Sequence, residues 1–377
     1  MFKFILEADE IRQQLKTVLE DCAKDEHHTD MVSSTVDALV RHSARLDLLI
    51  AIVPPEAPGL HFIGGVATVD GRKISLTGTG ETFSGALTRL NGELAEAIAR
   101  ALASRHSRPP LVLGGCAVAA DTDGRTVDFG DSNGCAAHID LEDASFSALL
   151  ELIERDAAML WWRGGRPADV LQLQGPSRAR FRDFRNRLRA DGEAREDLLL
   201  LLSEDFGVAT VAAVSFAPNG LRFASGIAAR PDAFSAACAA FREMCQMEVG
   251  LRLAALKREH SGEQGLSDGD RRQLRRARLI TRAMLPISDA AARRGDGEPA
   301  STRAAGDQVR ALASRLAQDG LEPALFDLSV ADSPFVVAKA ICPKLQSPSY
   351  QHVSARLRNV QQSAHFDAIV GHNVPLY

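Results

Sequence analysis

The chain has 377 residues, 45% apolar and 25% charged, with a formal net charge of −5. That is the composition of an ordinary globular protein, long enough for one large or two medium cores. An acidic balance argues against nucleic acid as the main partner, because phosphate binding wants a basic surplus. Six scattered cysteines show neither a CxxC pair nor a zinc spacing and read as reduced thiols of a cytoplasmic protein. The apolar runs at 1–6 and 48–54 are too short for a signal peptide or a membrane span, so no membrane role is expected.

Taken in order, Ile11, Leu15, Val18 and Leu19, then Val32, Val36, Leu39 and Val40, space like two helices within residues 8–50. The Pro54–Gly59 breaker sets a boundary between an N-terminal helical accessory segment, 1–59, and a main domain, 60–377. Asp70-Gly71 joins 62–69 to 73–76 as a hairpin. Thr77-Gly78-Thr79-Gly80 reads as a turn into a helix over 84–104. Glycines there can bare N–H groups to a phosphate, although their spacing fits neither the dinucleotide fingerprint nor the P-loop. Short strands follow at 111–113 and 126–129.

Ser132-Asn133-Gly134 is a strong turn, and Phe146, Leu149, Leu150, Ile153, Ala157 and Leu160 place a helix over 141–162. Residues 176–192 read as a basic surface helix and 208–216 as a buried strand. Asn219-Gly220 turns that strand into 221–227, and a third helix covers 232–253. The arginines at 271, 272, 275, 276 and 278 suit a solvated helix face or an acidic peptide. Residues 287–308 read as a flexible loop, and 325–328 and 335–341 as strands.

Three of these helices share a pattern. Glu96 precedes Arg100 by four, Glu151 stands one turn from Glu154 and Arg155, and Glu243 stands one turn from Gln246. Stacked like charges cost energy unless something positive lies among them. An ion-paired solvent face and a metal-binding face both satisfy that pattern. There is no GxSxG elbow, no HExxH and no P-loop lysine motif, and neither Cys135 nor His138 has a partner of catalytic spacing. Clustered carboxylates with arginine suit Mg2+ shared with a polyphosphate.

The run Asp131-Ser-Asn-Gly-Cys-Ala-Ala137, with Ala148-Leu-Leu-Glu-Leu-Ile-Glu-Arg-Asp-Ala157, resembles the central signature of YcaO-domain proteins. So do Gly92–Arg100, Phe206–Val214, Gly226, the ExxQ of Glu243 and Gln246, and 326–343, so the resemblance spans 60–377. It implies an α/β fold of mixed β-sheets packed with helices, binding ATP and Mg2+ without a P-loop. On the matching positions, Glu96, Glu151 and Glu154 would hold magnesium. Ser132, Asn133, Arg100, Arg155, Glu243, Gln246, Gly78 and Gly80 would line the nucleotide site, and the C-terminal Pro375 and Tyr377 would reach the catalytic centre. The family's usual reaction activates a backbone amide of a ribosomally made precursor peptide. A Cys, Ser or Thr side chain closes on the preceding carbonyl, and a phosphorylated hemiorthoamide collapses to a thiazoline or oxazoline. Relatives form thioamides or amidines. A leader-peptide-binding partner (E1-like/ThiF-like), a flavin-dependent dehydrogenase subunit and a homodimer within a hetero-complex belong to the same expectation. Two departures stand out: Ala99 replaces a glutamate of the first helix's ExxER, and the tail lacks alternating prolines. They motivate the alternative of a catalytically degenerate scaffold subunit.

Overall fold

The computed structural model describes residues 2–25, 33–103, 112–113, 116–117, 129–189, 195–289, 292–295, 305–363 and 374–376. The chain divides into two units, the first made of residues 1–149 and 303–341, the second of 150–302 and 342–377.

The first unit is built on a four-stranded antiparallel sheet, in the order Phe2–Glu7, Leu46–Ile52, His61–Val69, Arg72–Gly80. Its hairpin turns at Asp70 and Gly71, both with positive φ (51° and 72°), the geometry that Asp-Gly suits. The helices Ala8–Asp25 and Phe83–Ala103 pack on this sheet through Ile11, Leu15, Leu87 and Leu90 against Leu49 and Ile63. The hairpin and the second helix fall where the sequence places them. Thr77–Gly80 does not form a turn, because these residues are the end of the fourth strand. A Cβ on Gly78 would sit 2.1 Å from the Ala86 carbonyl, and one on Gly80 2.7 Å from the Ala86 nitrogen. Close packing of helix on strand therefore explains both glycines.

The helical expectation for residues 8–50 holds for Ala8–Asp25 and Ser33–Ser43 but not for Leu46–Ile52, which is a strand. That strand pairs with His61–Val69, so the sheet continues across the Pro54–Gly59 breaker. A three-stranded antiparallel sheet completes the unit, in the order Ala324–Asp327, Val336–Ile341, Cys135–His138. Its core joins Phe129, Phe326 and Val337 to Ala95 and Ala99. Of the strand expected at 126–129, only Phe129 lies among the described residues, and Val112–Leu113 pairs with Cys116–Ala117.

The second unit is organised by a five-stranded sheet, Ala224–Arg230, Ala209–Phe216, Glu196–Ser203, Asp169–Leu173, Arg293–Gly295. Every residue of Ala209–Phe216 is buried, as its apolar run requires. Trp161 and Trp162, at the end of the helix Leu141–Trp162, pack with Ala212, Val214, Leu200 and Ile227. The helix Ala233–Ser261, capped by Asp232 through the Ser235 N–H, lies against the Ala224–Arg230 strand. A Cβ on Gly226 would come 2.2 Å from the Ala240 carbonyl and 2.3 Å from the Met244 nitrogen, so only glycine permits this approach.

The expected surface helix at 176–192 is Gly175–Arg189, and its end is not at the surface. Arg189 is buried and donates two hydrogen bonds to the buried Glu248, at 2.7 and 3.0 Å, while Arg195 approaches the same carboxylate to 2.9 Å. The loop expected at 287–308 contains the strand Arg293–Gly295 and the start of the helix Ala305–Gln318; residues 290, 291 and 296–304 lie outside those described.

Gly226→Ala should cost about 1–3 kcal/mol, the usual scale of overpacking. A lowered urea midpoint against wild type would show it, and an unchanged midpoint would mean the helix can retreat from the strand.

Candidate active site

In the first unit, Glu96 and the Asp131–Asn133 turn are brought together by the Cys135–His138 strand. Glu96 Oε1 accepts a hydrogen bond from the Ala137 N–H at 3.0 Å, which pins this strand to the Phe83–Ala103 helix. The turn is shaped locally: the Asn133 N–H donates to Asp131 Oδ1 at 2.7 Å, and the Cys135 N–H to the Ser132 carbonyl at 3.1 Å. It is also held from below by Lys339, only 2% exposed, whose Nζ donates to the Asp131 carbonyl at 2.7 Å and the Asn133 carbonyl at 2.6 Å. Asn133 Oδ1 is buried with no hydrogen-bond partner among the described residues, and Ser132 is exposed beside it. Arg100 Nη1 donates to the Gly130 carbonyl at 3.1 Å. Ala99 is fully buried among Phe129, Phe326 and Leu328, so that position faces the core. Cys135 is a buried thiol. His138 lies 3.5 Å from Asp143 and 3.9 Å from Asp140, the residue that accepts the Asp143 N–H at the start of the next helix.

In the second unit, Glu151, Glu154, Arg155, Glu243 and Gln246 come from two helices. Arg155 sits among the carboxylates, with Nη2 3.4 Å from Glu151 Oε1 and Nη1 3.7 Å from Glu154 Oε1. Glu243 Oε2 accepts the Ile227 N–H at 3.0 Å, a contact that the close approach at Gly226 makes possible. Burial pushes the Glu154 carboxyl up to about 7; the Glu243 charge adds to the rise, while Arg155 and Arg230 oppose it. Burial likewise raises Glu243, with a further push from Glu151. Three acids therefore crowd the two arginines, Arg155 and Arg230, that the described residues bring to them.

The roll of the Leu141–Trp162 helix is set from its other side. Asp156, two residues beyond Glu154 and so on the opposite face, is buried and accepts the Gln346 N–H at 2.7 Å and Arg356 Nε at 3.0 Å. Arg356 also reaches Asp205 at 2.9 Å, and Arg166 holds Asp205 from another direction. Sequence patterns missed Lys339, Arg230 and this Asp156–Arg356–Asp205 network. For Lys339 one signal was present, a lone lysine inside the apolar run Val336–Ile341.

At the C-terminus, Val374 and Leu376 are buried in the Trp161–Trp162 core. Trp162 Nε1 donates to the Val374 carbonyl at 2.8 Å, and Arg276 Nη1 donates to the Leu376 carbonyl. Pro375 lies between them, half-buried, in a docked tail; Tyr377 lies outside the described residues.

A family model described as YcaO cyclodehydratase, ATP- and Mg2+-binding, matches residues 83–346. The chain belongs to the YcaO family. Among solved structures, a heterocyclase in complex with substrate and cofactor has a TM-score of 0.61 at 18% identity, over 95% of this chain. The chain spans 55% of that heterocyclase's length. YcaO from Methanopyrus kandleri, bound with AMPPCP and Mg2+, gives 0.57 at 17% identity over 84% of this chain and 93% of that one. The Escherichia coli microcin synthetase McbBCD complex gives 0.52 at 14%, over 78% and 88%. At these identities the likeness establishes the fold: mixed α/β, with antiparallel sheets packed by helices. No curated protein matches the sequence.

Within the second unit, the oxygen donors of Glu151 and Glu154, crowded by Glu243, fit a hard divalent cation. Within the first, Asn133 Oδ1, buried without a hydrogen-bond partner among the described residues, is an acceptor for a ligand donor. Lys339→Met keeps the side-chain length but removes the donor to two carbonyls of the Asp131–Asn133 turn. Affinity for an ATP analogue should fall about tenfold with unchanged circular dichroism, since losing one charged hydrogen-bonding group is worth that much. Unchanged affinity would show that the turn needs no ammonium beneath it.

Proposed function

We propose that this YcaO protein uses ATP and Mg2+ to activate backbone amides of a ribosomally made precursor peptide, closing Cys, Ser or Thr side chains into azolines. The observation that carries the reading is the under-compensated group of Glu151, Glu154 and Glu243 around Arg155. In this reading Glu96, Glu151 and Glu154 would be the metal ligands, and Glu243, Gln246, Asn133, Ser132 and Arg100 the nucleotide contacts. Arg155, tethered to Glu151 and Glu154, can turn a guanidinium toward phosphate oxygens while staying in place. Bound there, Mg·ATP supplies the phosphoryl group that turns an amide oxygen from a poor leaving group into a good one. Family membership and the heterocyclase-like fold support this class of reaction.

The precursor would be presented by a separate leader-binding protein, with oxidation left to a flavin-dependent subunit. The fold likeness to a subunit of a multi-protein synthetase agrees with such an assembly. A second reading, the degenerate scaffold subunit, is favoured by one observation: Ala99 is buried in an apolar core and cannot replace the missing glutamate.

With precursor, partner and Mg2+, the wild-type chain should consume ATP while peptide mass falls by about 18 Da per event, one water lost for each phosphorylated oxygen expelled. Glu151→Gln should abolish both. A mass gain of sulfur for oxygen would move the product to a thioamide. An assembled complex without turnover or mass change would establish the scaffold.

A further inference from the structure

Arg12, on the Ala8–Asp25 helix, Arg41, on the Ser33–Ser43 helix, and Arg45, just before the Leu46–Ile52 strand, line one cavity of about 680 Å³ in the first unit. Val40, His42 and Asp332 complete its wall. All three arginines are exposed, and none makes a hydrogen bond or an ion pair with a described residue, unlike Lys16 nearby, which is paired with Asp37 at 2.9 Å. Arg41 contributes only a distant pull on Asp37.

His42 gives a second and independent observation. Its side chain is 98% buried, since only 2% is exposed, and it packs edge-on against Phe335. Neither ring nitrogen has a hydrogen-bond partner among the described residues, although the Asn91 backbone pulls weakly toward the protonated form. Buried polar groups are seldom left unsatisfied, and this one lies in the wall of the arginine-lined cavity. Burial, helped by Arg45, holds the imidazole neutral, so it offers one N–H donor and one acceptor.

We propose that this cavity is a binding site for a small polyanion with closely spaced oxyanions, either a phosphate ester or a polycarboxylate. Three guanidinium groups match such oxygens in paired, planar fashion, and the cavity is of the size that small ligands occupy. The His42 N–H supplies a donor from the buried side. Asp332 adds a carboxylate to the wall, an acceptor for a hydroxyl or amine of the same ligand. None of these residues belongs to the carboxylate groups assigned above, so the site stands whether or not the chain turns over ATP.

The test is calorimetric titration of the full chain, saturated with Mg·AMPPCP so that the nucleotide site does not compete, with pyrophosphate and with citrate as probes. Wild type should bind at least one probe with a Kd below about 1 mM. Arg41→Gln/Arg45→Gln should weaken that binding at least about tenfold, the scale of lost charge-assisted contacts, with unchanged AMPPCP binding. Arg12→Gln, on a different helix, should weaken it separately, which covers the case that the double variant fails to fold. Binding of pyrophosphate alone assigns a phosphate ester, of citrate alone a polycarboxylate, and of both a site that reads oxyanion spacing only. The proposal is overturned if neither probe binds, or if both bind the variants as tightly as wild type. A failed nucleotide assignment shows separately, as absent AMPPCP binding.

Discussion

Like charges held close together govern the second unit. Glu151 and Glu154 repeat at one helical turn, and Glu243 is brought toward them because Gly226 lets its helix settle onto the strand. Arg155 offsets part of that repulsion, and burial does the rest in the opposite sense by driving Glu154 and Glu243 toward their neutral forms. Stability alone gives no reason to stack partly buried acids in this way, since their mutual repulsion and desolvation both oppose folding. The arrangement makes physical sense as a preorganised set of oxygen donors, rigid because its roll is fixed from behind by Asp156 and Arg356.

The first unit follows the same logic with neutral groups. Lys339 and Glu96 both spend their charge on backbone atoms, the carbonyls of the Asp131–Asn133 turn and the N–H of Ala137. They hold a short, polar, exposed turn in one conformation, which leaves Asn133 with a buried acceptor that no described residue uses. Glu96 is therefore already engaged through Oε1, and any metal it binds must share that carboxylate with the Ala137 N–H.

Much of this was legible in the sequence wherever a single element determined the outcome. The helix Leu141–Trp162 begins and ends where its apolar spacing says, and the largely apolar Ala209–Phe216 is an interior strand buried along its whole length. Reading failed where pairing overrode local preference. Leu46–Ile52 is a short apolar run with no period to separate strand from helix, and only its neighbours on both sides decide. Glu196–Ser203, for which no element is expected from the sequence, carries five leucines, good helix formers, yet lies between two antiparallel partners. At the site, the repeated glutamates stood out because helical spacing puts them on one face. Arg230, Lys339 and Arg356 did not, since their partners are set by tertiary packing and leave no mark at fixed sequence separation.

The central claim is that the acids around Arg155 are kept for a divalent cation and its nucleotide. Calorimetric binding of AMPPCP, with Mg2+ and with EDTA, to wild type and to Glu154→Gln tests it most directly. The account predicts binding that depends on Mg2+ and falls at least about tenfold in the variant, the scale of one lost ligand contact. Equal affinity with Mg2+, with EDTA and in Glu154→Gln would contradict it.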